Sequence, residues 1–260
     1  MRLFAIIATY PIGICLTLLS LLGSPRASSV VAITDKAHSR IILAADSLQN
    51  VNNKPFGQAC KISVTPTCIF AVSGYIANEA LNFDLRTLAS NACEQRGSLK
   101  AKADFLLLSA RRPVGDLLRF LKTTDPLAFA NLAKESVELA SAIFAGAQDG
   151  KVNVFSRGFI AHSDGSISVA EWDTLRSNSA FVVLGVNYNI GKYLSSHKTW
   201  YRDWLPRGFD NFAKFLIGIA MQEKPDAVGP PVTILELERS PFFTDPDRFS
   251  WRWLERGACR

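Results

Sequence analysis

The sequence predicts an α+β fold in which two antiparallel sheets carry helices on their outer faces. Three observations point there. Short β-branched runs stand near both ends, a middle stretch has helical period, and Asp-Gly turns mark further strands beyond it. Strand-rich ends around a helical middle exclude a simple alternating doubly wound sheet. With 260 residues and 48% hydrophobic content, the chain can bury one large core, and neither repeats nor low-complexity blocks divide it.

The first element is a leader. Met1-Arg2 is a short positive start, residues 3–22 are almost wholly apolar, and Gly23-Ser24-Pro25-Arg26-Ala27 is a small, polar exit. This is the pattern of a secretory signal cut after Ala27, which would place residues 28–260 in the periplasm or outside the cell. The apolar run also approaches the ~20 residues that span a bilayer, so a retained anchor is the alternative, and only then would the protein be membrane-bound. A chain beginning at Ser28 would carry a hydroxyl and a free α-amine on one residue, a nucleophile and its base together.

Residues 30–33 and 41–45 read as a hairpin around polar residues 35–39, closed by Asp46. Residues 48–59 are polar and Asn-rich and read as a loop. Residues 61–64 and 68–72 form a second strand pair, ending in a turn at Ser73-Gly74-Tyr75. Apolar residues recur at helical spacing over 78–95 and again over 106–121, where Pro113 suits the first turn of a second half. Residues 125–140 continue as helix. Strands at 141–146 and 152–155 flank Gln148-Asp149-Gly150, and strands at 159–161 and 166–170 flank Ser163-Asp164-Gly165. A buried strand at 181–184, helices at 189–195 and 209–222, and a strand at 231–238 complete the domain of residues 28–239. The tail, residues 240–260, is rich in Phe and Trp and is expected to pack on its own domain.

Net charge is +6, or +4 without Arg2 and Arg26, and no basic run exceeds Arg111-Arg112. That is a solvated surface rather than a nucleic-acid footprint. Cys15 belongs to the leader, which leaves Cys60, Cys68, Cys93 and Cys259. An even set permits disulfides in an exported protein. Cys60 and Cys68 could face each other across the turn at Thr65-Pro66-Thr67, or be unrelated core residues. His38, His162 and His197 are scattered, and neither a CxxC pair nor a His cluster calls for metal or another cofactor.

From Ser28 to Glu238 the order of elements and several strings resemble the proteasome-like branch of the N-terminal-nucleophile (Ntn) hydrolases. SSVVAI and RIILAADS resemble the family's opening strands, ACKIS its lysine segment, and PDAVGPPVTILEL its late segment before the last strand. The resemblance implies a four-layer αββα sandwich of the Ntn-hydrolase type. It implies Ser28 as nucleophile, Asp46 and Lys61 as its charged partners, a backbone amide near Gly74 as oxyanion donor, and Asp226 beside the α-amine. No cofactor is implied. The partners implied are a peptide or amide substrate and other copies of the chain in a ring. Where the family carries serines and Gly-Gly, this chain has Val186, Gly229 and Pro230-Pro231.

The physical roles follow. An α-amine titrates near neutral pH and can take the Ser28 hydroxyl proton. Lys61 would stabilise developing negative charge, with Asp46 orienting it. The expected function is an exported N-terminal-serine amidohydrolase acting on peptides. One alternative is a non-catalytic scaffold or ring subunit, favoured by the missing serine and glycines. The other is a same-fold hydrolase of a small non-peptide amide. Ser28→Ala and Lys61→Ala are each expected to abolish hydrolysis with the fold intact.

Overall fold

Runs that are apolar at every position, rather than at alternate ones, belong to strands buried on both faces. The opening of the domain is built this way. The structure, a computed structural model, describes residues 28–35, 39–51, 54–135, 138–148, 150–174, 179–239 and 249–259. The leader of residues 1–27, Asp149, and residues 240–248 of the tail lie outside the described residues.

In chain order, β1 (Ser29–Asp35) and β2 (Arg40–Asp46) form the first hairpin, and β3 (Leu48–Val51) pairs with β4 (Lys54–Gln58). Next come β5 (Ile62–Val64), β6 (Ile69–Gly74), β7 (Ala77–Asn78) and β8 (Phe83–Asp84). Three helices follow: α1 (Leu85–Glu94), α2 (Leu99–Thr124) and α3 (Pro126–Glu135). Four strands succeed them: β9 (Glu138–Gln148), β10 (Lys151–Ala161), β11 (Ile167–Asp173) and β12 (Ser179–Gly185). Then α4 (Tyr188–Ser196), α5 (Trp200–Trp204) and α6 (Phe209–Glu223) lead to β13 (Val232–Arg239) and β14 (Phe249–Glu255).

Helix and strand take about equal shares, and the strands form antiparallel sheets, so the chain is a mixed α/β protein compatible with α+β. One five-stranded sheet runs β12-β1-β2-β13-β14 and another β11-β10-β9-β6-β5. The period of two along each strand divides its side chains between separate clusters. Val30, Ala32, Leu43 and Leu235 of the first sheet share a cluster with Ile69, Ala71, Ile143 and Val154 of the second. The alternate residues Val31, Ile33, Ile42 and Ile234 pack with Ile190, Phe212 and Leu216 of α4 and α6. In the second sheet, Phe70, Val72, Phe144 and Phe155 pack with Ala89, Leu106, Val114 and Leu117 of α1 and α2.

Several elements differ from expectation. Residues 48–59 pair as β3 and β4 rather than looping; backbone ladders hold this ribbon, and its polar sequence carries no apolar period to announce it. The helix expected over 78–95 begins at Leu85, where the Asp84 carboxylate accepts from the Arg86 and Thr87 backbone N–H groups. Pro113 lies inside α2, which runs unbroken from Leu99. A mid-helix proline costs ~3 kcal/mol. The buried stripe Leu106, Ala110, Val114, Leu117 and Leu121 spans it, and each buried leucine returns about 1.5–3 kcal/mol. The helix expected over 125–140 gives way to β9 from Glu138 onward.

The strands expected at 152–155 and 159–161 are one strand, β10. Its polar centre, Ser156-Arg157, is buried because Arg157 donates to the Asp104 carboxylate of α2 from Nε at 2.9 Å. The tail contributes β14, an edge strand on β13. Cys60 bonds Cys259 and Cys68 bonds Cys93, with Cα separations of 4.6 and 5.7 Å, so the Cys60–Cys68 pairing does not occur.

Candidate active site

Asp46 ends β2 at a fully buried position and gathers four donors. Its Oδ1 accepts from the Ser29 backbone N–H at 2.7 Å and from Lys61 Nζ at 2.7 Å. Its Oδ2 accepts from the backbone N–H groups of Leu48 at 3.1 Å and Gly229 at 3.3 Å. One carboxylate thus ties together the start of β1, the start of β3, the residue before β5, and the segment that enters β13.

Lys61 is held just as firmly. Its side chain is 1% exposed, its neighbour Cys60 is bridged to Cys259, and its carbonyl accepts from the Val72 N–H of β6 at 3.2 Å. Burial raises the Asp46 carboxyl above its ordinary value and lowers the Lys61 ammonium, while their mutual attraction opposes both shifts. Arg86 nearby adds to the lowering of Lys61 by like-charge repulsion.

Ser28 precedes β1 and is fully buried. Its carbonyl accepts from the Val186 N–H at 2.9 Å, while its Oγ has no hydrogen-bond partner. A buried hydroxyl left unpaired costs about 1–3 kcal/mol and calls for an explanation, a reactive role among them. The Ser73 hydroxyl of β6 is also buried and unpaired. Both residues meet at Gly185, the end of β12. A Cβ there would fall 1.8 Å from the Ser28 carbonyl oxygen and 2.7 Å from Ser73 Oγ, and φ is +80°. Only glycine lets β12 pass this close to Ser28.

Of the five residues expected at the site, Asp46 and Lys61 are in direct contact, and Ser28 is joined to them through the N–H of Ser29. Gly74 ends β6 at φ +86°, packed so closely that a Cβ would meet the Leu139 carbonyl at 2.6 Å. It follows Ser73, whose Oγ lies beside Gly185, the residue that also meets the Ser28 carbonyl. Asp226 is exposed in the turn after α6; Gly229, three residues on, is the member of that segment that reaches Asp46. Sequence reasoning missed the roles of Ser29, Ser73, Gly185 and the Gly229 N–H. Three of these act through backbone, which residue type does not advertise. Among the described residues there is no group of three or more His, Cys, Asp or Glu side chains placed to hold a metal ion.

Lys61 opens on a cavity of about 110 Å³, lined also by Gln49, Ile76, Asp84 and Arg86. Lys61 thus borders space where a substrate group could lie, while its ammonium is buried against Asp46. Compared with protein families and with curated proteins, the chain matches none.

Proposed function

We propose that this chain is an exported N-terminal-serine amidohydrolase, a proteasome-like Ntn hydrolase with an αββα sandwich of four layers, acting on peptide bonds. The observation that carries the reading is the buried Lys61–Asp46 pair bound to the Ser29 N–H. It fixes an ammonium and a carboxylate next to the residue that would become the N-terminus on cleavage after Ala27. The three apolar clusters, one shared by the two sheets and one on the outer side of each, support the layered arrangement. Two disulfides fit an oxidising compartment, the periplasm or the cell exterior.

In this mechanism the Ser28 α-amine takes the Oγ proton as Oγ bonds to the substrate carbonyl carbon. Lys61 Nζ stabilises the negative charge that develops there. Collapse of the intermediate breaks the C–N bond, and the leaving amine takes the proton from the α-ammonium. Water then hydrolyses the ester on Ser28, with the α-amine again acting as base. Asp46 keeps Lys61 oriented throughout.

A second reading, a non-catalytic scaffold subunit, draws on the complete burial of Ser28 and on Val186, Gly229 and Pro230-Pro231 at positions where the family carries serines and glycines. One experiment separates the two: N-terminal sequencing and intact mass of the protein exported by its host, followed by amide turnover. The hydrolase requires a chain beginning at Ser28, and a loss of at least about 10³-fold in kcat for Ser28→Ala. A leader still joined to Ser28 in the mature protein acylates the base, removes this mechanism, and leaves the scaffold.

A further inference from the structure

We propose that the cavity beside Lys61 binds a carboxylate through the guanidinium of Arg86, so that the protein selects amides bearing an acidic side chain next to the scissile bond. This deepens the hydrolase reading and rests on it for the position of the scissile bond, though not for the binding of the anion itself.

The charge inventory of the cavity is one-sided. Arg86, the second residue of α1, and Lys61 both line it. The Lys61 charge is answered by Asp46, on the buried side. Arg86 is answered only in part: Asp84 attracts its charge, but its Nε is buried without a hydrogen-bond partner. The single carboxylate on the lining, Asp84, is exposed and engaged as the cap of α1. It accepts from the Arg86 N–H at 2.8 Å and the Thr87 N–H at 3.4 Å through Oδ1, and from Thr87 Oγ at 3.0 Å through Oδ2. Burial lowers the Arg86 guanidinium from its ordinary value, and the attraction of Asp84 only partly opposes this.

A buried guanidinium edge with an unused donor is the group that receives a carboxylate through charge-assisted hydrogen bonds. Space is sufficient. A site needs roughly 10–15 Å³ to hold one water, and this cavity offers about 110 Å³. An aspartate or glutamate side chain entering there would meet Arg86 and at the same time relieve the repulsion between Arg86 and Lys61. A neutral side chain would do neither, and a lysine would meet two like charges.

The test uses the exported protein and internally quenched peptides that differ at a single position, occupied by Glu, Gln, Leu or Lys, with cleavage sites read by mass spectrometry. Glu next to the cleaved bond is expected to exceed Gln by roughly 10- to 100-fold in kcat/KM, the scale of a charge-assisted hydrogen bond. Arg86→Gln removes that preference and Arg86→Lys retains part of it, which separates charge from packing. In parallel, N-acetyl-glutamate and N-acetyl-glutamine are titrated by NMR into Ser28→Ala protein with and without Arg86→Gln. Binding of the glutamate alone, lost with Arg86→Gln, supports the site even if no peptide is cut, an outcome that would overturn the hydrolase reading instead. Ser28-dependent cleavage indifferent to charge at every position overturns the carboxylate site and leaves the hydrolase. Absence of both Arg86-dependent binding and preference overturns the proposal.

Discussion

Among the described residues, Arg157 and Lys61 are the most deeply buried basic side chains, and the molecule treats them differently. Arg157, at the centre of β10, is 1% exposed, but its partners Asp104 and Glu171 are 37% and 54% exposed. Its charge is answered by groups that remain in contact with water, and its other donors reach the Ser156 and Trp172 carbonyls. That is a fastening between α2 and β10, obtained without stripping a carboxylate of solvent. At Lys61–Asp46 both partners leave water, with 1% and 0% exposure. Desolvating two ions costs several kcal/mol each, and a pair of apolar side chains would serve stability as well or better. The first arrangement is what a fold needs; the second makes sense where an ammonium must stand in a set place for chemistry.

The largest expected effect tests that contrast directly. Lys61→Met strands the Asp46 charge among backbone donors and should destabilise by about 3–5 kcal/mol in urea unfolding. The sequence alone suggested that removing Lys61 would spare the fold; its burial against Asp46 says otherwise. Adding Asp46→Leu to Lys61→Met should restore much of the loss while leaving amide turnover abolished. A double variant no more stable than the single one would break the distinction drawn here.

Arg157→Met should cost less, about 1–3 kcal/mol, because Asp104 keeps Lys100 and water while only the carbonyls lose a donor. Equal losses at Lys61 and Arg157 would mean that solvent access of the partner does not matter.

The smallest effect is in pH dependence, and its sign sharpens the comparison. Desolvation raises the Asp46 carboxyl above 3.8 despite the attraction of Lys61. The folded chain then holds that proton more tightly than the unfolded chain, and its contribution is lost as pH climbs from 3.8 toward the folded value. Asp104 behaves oppositely. Burial works to raise it, but hydrogen bonds from Lys100 and Arg157 prevail and hold it below 3.8. Its contribution is present above 3.8 and fades as pH falls, and partial exposure keeps it under about 1 kcal/mol. Asp46→Asn and Asp104→Asn should change the slope of unfolding free energy between pH 3 and 6 in opposite directions, and slopes that move together would sink this account.

What could be read from the sequence was whatever burial writes into side chains. The runs 30–33 and 41–45 announced β1 and β2 because both faces of those strands are covered, and the period of 209–222 announced α6. Asp46 and Lys61 were legible through a resemblance of short strings, and the structure puts them 2.7 Å apart. What stayed hidden was held by backbone or by distance along the chain. The β3–β4 ribbon has no apolar period in its sequence to betray it. β10 passes through Arg157, a residue that normally ends a buried strand unless a partner such as Asp104 waits on another element. Cys60 and Cys259 are 199 positions apart, a separation at which no spacing rule operates. Arg86 reads as an ordinary helix residue until the cavity beside it is seen.

That long-range bridge has a consequence for when the site can exist. A chain emerging from its N-terminal end presents Ser28 first and Cys60 soon after, but Cys259 arrives 199 residues later. Until it does, the residue beside Lys61 has no covalent anchor, and β13 has no β14 to complete its edge. The Ser28 end of the domain is made early, and the segment carrying Lys61 is moored late. The Cys60–Cys259 bridge thus ties the segment that carries Lys61 to the last stretch of chain to be made.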